Sequence, residues 1–290
     1  MKFLLNNFNG LKYLLGRFYQ CRRSYSFIRK TLQAVKLDRQ TLLLCDNYQT
    51  NYKVLDKSQK DTVFSDRSQD DHITFLRQTA FSSGLRLSEN TQQSLIEAAS
   101  QRSLVASGSR RVFTLADAVA DPNLRQTVAI ATIIDSSDLP SIQDLAASPI
   151  LLNVVTTYLG YAPREVSSWF FWSFANQLPQ TEREAVYQTI QYHYDVHGLN
   201  FMYVNFYLLD TDADSGAHVL ISGSHRQKRL QQLLGSARLM DEQALSCYGA
   251  ERIEVITGTA GSGFFEDASC YHKALPPKTS DRLMLQLRYS

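Results

Sequence analysis

The apolar positions change period partway along the chain. In the first half they recur at helical spacing. Asn90 with Gln93 predicts a helix start before "SLIEAA". Ser148-Pro149 predicts a second, with a capping serine and proline at the first helical position. Leu151, Val154, Val155, Tyr158 and Leu159 continue that helix as one stripe, and Gly160 ends it. From there on the runs are aromatic or β-branched and of strand length: "SSWFFWSF" (167–174), "FMYVNFYLL" (201–209), "HVLIS" (218–222), "RIEVIT" (252–257) and "RLMLQLRY" (282–289). In the last run Leu283, Leu285 and Leu287 share one face, and Arg282, Met284, Gln286 and Arg288 the other. In 167–174 the same period groups Trp172 and Phe174 with Phe170. Helices followed by many strands predict an α+β protein or a helix-flanked β-sandwich. The polar stretch 56–72, "DKSQKDTVFSDRSQDDH", reads as a loop or linker.

Composition narrows this picture little. At 44% hydrophobic and 20% charged, the 290 residues are those of an ordinary globular protein. A net charge of +2 weighs against nucleic acid as a partner. Cys21, Cys45, Cys247 and Cys270 form no CxxC pair, which argues against a zinc knuckle and for reduced thiols in a cytosolic setting. The first 37 residues hold eight basic side chains and no acid (Lys2, Lys12, Arg17, Arg22, Arg23, Arg29, Lys30, Lys36). Such a segment can lie on an anionic membrane surface, but a solvated helical extension packed on the domain is the favoured reading.

The chemistry sits in "HYDVH" (193–197). A helical His193/His197 pair would mimic a zinc protease, but Tyr194 stands where that chemistry needs glutamate, and Gly198 follows at once. In an extended segment His193 and Asp195 instead point to one face. A third ligand must then come from His218, His225 or His272. His272 stands out: it lies in "DASCYHKALPP", an apolar run closed by two prolines, and Arg282 follows ten residues later. Two histidines and a carboxylate make the facial set of non-haem iron(II) oxygenases, with open positions for a 2-oxo acid and dioxygen. An arginine fork suits the far carboxylate of such an acid.

Taken in order, "HYDVHG", the acidic loop and glycine Asp214-Ser215-Gly216, "GSHR" (223–226), and "DASCYHKALPPKTSDR" resemble the phytanoyl-CoA dioxygenase-like family of Fe(II)/2-oxoglutarate-dependent oxygenases. The resemblance covers 148–290, about half the chain. It implies a mainly β fold with flanking helices, a double-stranded β-helix (the cupin-like jelly roll). It also implies one domain over 1–290, with a basic helical extension over 1–60 and a jelly-roll core over 148–290 that carries the metal. On this resemblance His193, Asp195 and His272 bind iron, Arg282 binds 2-oxoglutarate, and Asn205 lines the co-substrate pocket. A jelly roll would bury the three leucines of 282–289 under helices and turn Arg282 and Arg288 inward, about 20 Å apart.

The implied reaction hydroxylates or otherwise oxidises a small organic substrate and releases succinate and carbon dioxide, with ascorbate as an accessory reductant. Related halogenases have a small residue where Asp195 stands, so halogenation is not expected. The aromatic runs suggest an apolar or ring-bearing substrate, and the family adds acyl thioesters. His197 and Trp172 are the candidate substrate contacts; structural roles, a polar support and a core aromatic, stand beside them. His225 reads as a turn residue, His218 as buried and satisfied, and His72 as solvated. "GTAGSG" (258–263) reads as a tight turn, since no phosphate-loop lysine accompanies it. Two other classes compete: a cupin-like metalloenzyme that does not use 2-oxoglutarate, and a non-catalytic binding module on the same fold.

Overall fold

The computed structural model describes residues 61–179, 182, 190–197 and 200–290. The basic N-terminal segment lies outside them. The strands are β1 (Val63–Ser65), β2 (Phe81–Leu87), β3 (Leu104–Ala106), β4 (Val112–Phe113), β5 (Ile130–Ile133), β6 (Val166–Ser173), β7 (Tyr192–His193), β8 (Met202–Tyr207), β9 (His218–Ile221), β10 (Arg238–Leu239), β11 (Ile253–Ile256), β12 (Ser262–Glu266), β13 (His272–Ala274) and β14 (Arg282–Tyr289). The helices are α1 (Gln69–Thr79), α2 (Glu89–Gln101), α3 (Leu115–Ala120), α4 (Pro122–Thr127), α5 (Pro140–Ala146), α6 (Pro149–Leu159), α7 (Leu230–Leu234) and α8 (Asp241–Tyr248). No described helix is long and apolar enough to cross a membrane.

Among the described residues the strands form two antiparallel sheets. The major sheet runs β1-β2-β12-β8-β14-β6-β5-β3-β4, and the minor sheet β10-β7-β13-β9-β11. The sheets face each other: Phe171, Tyr207, Phe264 and Met284 of the major sheet pack with Leu220 and Ile256 of the minor. The helices α1, α2, α5 and α6 cover the outer face of the major sheet, and α8 covers part of the minor. This is the jelly roll. The alternation on β14 places its side chains as the sequence pattern requires. Leu283, Leu285 and Leu287 are fully buried against the helices, each contributing roughly 1.5–3 kcal/mol of burial.

Helix α6 begins at Pro149, and Gly160 closes it in the left-handed region at φ 81°. Ser148 precedes it without a side-chain capping bond. The cap of α2 is Ser88, whose Oγ accepts from the Thr91 amide at 3.3 Å; Asn90 is already inside the helix.

Three expectations are corrected. The first half is not only helical, because β1 to β5 all join the major sheet. These strands are two to seven residues long, and β2 carries an interior glycine at φ 110°, so periodicity hides them. The stretch 56–72 is not all loop: Val63 is buried and pairs with Leu87, and α1 starts at Gln69. Its Asp70 and Asp71 lie in the first turn of that helix, where the dipole favours carboxylates. His72 is not solvated either. It is 1% exposed, with Nδ1 2.8 Å from Ser82 Oγ and Nε2 2.7 Å from Ser65 Oγ.

Burial, with the nearby Arg67 cation, pushes the His72 imidazole down to about 4. The unfolded chain, near 6.5, takes up a proton that the folded chain refuses. Stability should therefore be full above about pH 6.5 and decline as pH falls toward about 4. Urea midpoints followed across that range check this, and His72→Gln should flatten the slope; an unchanged slope would remove His72 as its source.

Candidate metal centre

Strands β7 and β13 are neighbours, and His193 pairs directly with His272. Directly opposed residues point to the same face, so the two imidazoles stand side by side with ring centroids 4.4 Å apart. Each ring is fixed by its own backbone. His193 Nδ1 lies 2.9 Å from the Gln191 carbonyl, and His272 Nδ1 3.1 Å from that of Cys270. A carbonyl only accepts, so both Nδ1 atoms carry the proton and both Nε2 lone pairs face outward. They face the Asp195 carboxylate, at 3.9 Å from His193 Nε2 and 3.8 Å from His272 Nε2. One donor atom from each residue lies within 4.8 Å of the other two. The structure thus brings together the three residues singled out from the sequence. Burial and the facing His272 push His193 down to about 4, so at neutral pH it offers a lone pair and not a charge.

Asp195 is held as well. Its amide donates to the Ala268 carbonyl at 2.9 Å, and the Tyr203 hydroxyl donates to Oδ2 at 3.0 Å. Burial and the adjacent Asp195 charge push the Tyr203 phenol well above its usual range, so it stays a donor.

Behind His272 lies a group the sequence reading missed. Glu266 is 0% exposed, at the end of β12. It accepts from His218 Nε2 at 2.9 Å and from Asn205 Nδ2 at 2.9 Å, and lies 3.6 Å from His272 Nδ1. Burial works against its charge, but His218 and His272 outweigh it and hold the carboxyl down at about 2. A charge closing the apolar run "SGFF" was the available signal, because a buried carboxylate needs partners. His218 is buried and satisfied as expected; its Nε2 is committed to Glu266 and is not offered to a metal.

The other quoted motifs are framework. Gly216 takes φ 94°, and a Cβ there would meet Pro277 Cγ at 2.9 Å. Asp214 accepts from the Lys278 and Thr279 amides, so loop and proline turn clamp each other. In "GSHR", Ser224 Oγ accepts the Tyr271 amide at 2.8 Å, fixing the approach to His272. His225 sits in the same 3-10 turn, buried. "GTAGSG" is a turn, closed by the Ser262 amide on the Thr259 carbonyl at 2.9 Å.

A cavity of about 490 Å³ lies between the sheets and contains the His193, Asp195 and His272 side chains. Arg282 lines it and is 3% exposed. Its Nη2 donates to Ser173 Oγ at 3.0 Å and its Nη1 to the Gly216 carbonyl at 2.5 Å. Asp281 just before it is anchored by Arg125 and by the Ala175 amide. Asn205 is not in the cavity wall. It is fully buried behind it, accepting from the wall residue Gln286 at 3.0 Å and passing the chain of bonds to Glu266. His197 is also off the wall, edge-on to Phe201 with centroids 5.8 Å apart. Trp172 faces the helices, 7% exposed, with Nε1 3.4 Å from the Ala99 carbonyl. The inward residues of β6 are Trp169 and Phe171, the alternation opposite to the one that would carry Trp172 inward.

No family model matches the chain, and no curated protein matches it in sequence. Solved structures do match. The epimerase SnoN, in complex with Fe3+, alpha-ketoglutarate and nogalamycin RO, aligns over 76% of this chain and 82% of its own, at 15% identity and TM-score 0.51. SnoK, a non-haem alpha-ketoglutarate-dependent carbocyclase from nogalamycin biosynthesis, aligns over 77% of this chain and 84% of its own, at 16% identity and TM-score 0.50. The chain has the fold of these two enzymes. Both alignments reach well beyond 148–290, in keeping with β1 to β5 being part of the major sheet.

Ligand and support separate by experiment. His272→Ala should abolish stoichiometric binding of a divalent metal, read by metal analysis of the purified protein. His218→Ala should keep the metal but bind it about 10- to 100-fold more weakly, the usual cost of losing an outer support. Full metal content in His272→Ala would pass its role to His218.

Proposed function

We propose that the chain is a non-haem iron(II), 2-oxoglutarate-dependent oxygenase acting on a small organic substrate. The observation that carries this is one cavity holding both an N2O donor set and a buried arginine. The donor set fits iron: two imidazoles present Nε2, one carboxylate faces both, and three residues on one side leave the cavity side open. When bound, iron(II) and 2-oxoglutarate supply the oxidising chemistry, with succinate and carbon dioxide as products.

The chain's own residues do the rest. Tyr203 keeps Asp195 in place by its hydrogen bond. Glu266, through His218 and Asn205, stiffens the back of the His272 strand. Phe171 and Met284 keep the inner cavity apolar, which excludes water from the reacting centre. Arg282 receives the distal carboxylate of 2-oxoglutarate at the closed end, with Ser173 as its neighbour. Burial raises the worth of that contact, and the planar fork suits two carboxylate oxygens.

Titrating 2-oxoglutarate anaerobically into the iron(II) protein, and following the metal-to-ligand charge-transfer band, tests this. Arg282→Ala should raise the dissociation constant by about 30-fold to several thousand-fold, the equivalent of roughly 2–5 kcal/mol for a buried charged pair. Arg282→Lys should recover part of it. Iron content should stay at the level of the native protein. Absence of the band in the native protein, together with no succinate above an iron-free control in air, would overturn the assignment.

A further inference from the structure

Arg288 lies on the same inward face of β14 as Arg282, and it lines the same cavity. Six residues separate them, about 20 Å along a strand. Exposure grades along that distance. On β14 the residues from Arg282 to Leu285 are buried, while Gln286 and Arg288 are half-buried. Neighbouring β6 grades the same way: Phe170 to Ser173 are buried, and Val166 to Trp169 half-buried. The cavity therefore closes at Arg282 and opens at Arg288.

In register, Arg288 stands between Ser167 of β6 and Tyr203 of β8. Its Nε is buried and has no hydrogen-bond partner among the described residues. None of the ion pairs among those residues involves it either. A buried guanidinium N–H without a partner is costly unless something arrives to meet it. Here it lines the mouth of a cavity whose other end already has its own arginine.

We propose that Arg288, with the Ser167 hydroxyl beside it, receives a carboxylate of the organic substrate. The substrate is then a carboxylic acid whose body lies along the stacked Trp169–Phe171 pair, ring centroids 4.3 Å apart, and ends near the metal centre. This rests on the oxygenase reading above. A carboxylate fits better than a phosphate monoester. One unpaired guanidinium offers a single positive charge, and the Asp195 carboxylate is only one tyrosine side chain away, through the Tyr203 hydroxyl at 3.0 Å. A dianion would meet that negative charge at close range. Saturating 2-oxoglutarate occupies the Arg282 end, so the two acids do not compete for one cation.

The test uses the full chain with iron(II) and saturating 2-oxoglutarate under anaerobic conditions. The probes are 3-phenylpropanoate, its neutral amide 3-phenylpropanamide, and 2-phenylethyl phosphate. Binding is read from the shift of the charge-transfer band and from tryptophan fluorescence, since Trp169 lies in the wall. The acid should bind about tenfold or more tightly than the amide, as expected for hydrogen bonds to a charged group. Arg288→Ala and Arg288→Gln should bring acid and amide together, and Arg288→Lys should retain part of the gap. The 2-oxoglutarate constant should move less than twofold in these variants.

Equal binding of acid and amide by the native protein would overturn the proposal, as would a preference that survives Arg288→Ala, or failure of the acid to bind at millimolar concentration. Tighter binding of the phosphate would overturn the choice of carboxylate. A rise in the 2-oxoglutarate constant in Arg288→Ala but not Arg282→Ala would show the two arginines exchanged. If no charge-transfer band forms at all, the oxygenase reading fails by itself, and fluorescence titration of the zinc-loaded protein still decides the anion site.

Discussion

A single residue pair sets the geometry on which the site depends. His193 and His272 lie opposite each other on adjacent antiparallel strands, which forces their side chains to the same face at contact distance. Neither ring can turn freely, because each Nδ1–H is tied to the carbonyl two residues before it. The pairing therefore fixes position, and the backbone bonds fix tautomer. Asp195 follows His193 by two residues, so the extended chain returns it to the same side. A register slip of one residue between β7 and β13 would turn one imidazole away and destroy the donor set.

Much of the surrounding structure guards that register. Ser224 holds the Tyr271 amide, and the Ile221 amide bonds the Tyr271 carbonyl, so β13 is pinned one residue before His272. Tyr158 of α6 reaches through to Asp267 at 2.5 Å, linking the helical layer to the loop that leads there. Glu266 is the most exacting of these supports. A fully buried carboxylate is tolerated only when its partners are complete, and here His218 and Asn205 occupy both oxygens. The same network joins the major sheet, through Gln286 and Asn205, to the minor sheet through His218. The candidate metal centre and the packing of the two sheets therefore share one hydrogen-bond network.

What the sequence made legible follows from how local each signal is. The five strand runs after 160 and the stripe of α6 depend on period and capping within a dozen residues, and all are found where expected. The donor set was readable because His193 and Asp195 are two apart on one strand and His272 closes a distinctive run. The misses are non-local. Trp172 and Trp169 alternate on one strand, and nothing within "SSWFFWSF" says which parity meets helices; the pairing of Trp172 with Leu283 across β6 and β14 decides it. Asn205 and Glu266 meet only because β8 and β12 pair in a particular register. His72 looks solvated among aspartates, yet Ser82 on β2 reaches it from the next element. The short strands β3 and β4 carry too few residues for any period, and only the sheet recruits them.

The cavity also has an electrical direction, and the alternation of β14 creates it. One strand carries a cation at its buried end and another at its open end, with Met284 and Gln286 between them. The opposite wall carries the Asp195 carboxylate, tied to the Arg288 end by Tyr203. Two cations about 20 Å apart cannot serve one short dicarboxylate. The deep cation is enclosed by Ser173, the Gly216 carbonyl and the face of Phe171 at 5.6 Å, a fixed and dry setting that suits a ligand of constant shape. The outer one is half-buried beside Ser167 and has room on its solvent side. That asymmetry distinguishes the two ends: the deep cation is held by two hydrogen bonds to the framework, while the outer one stands at the mouth.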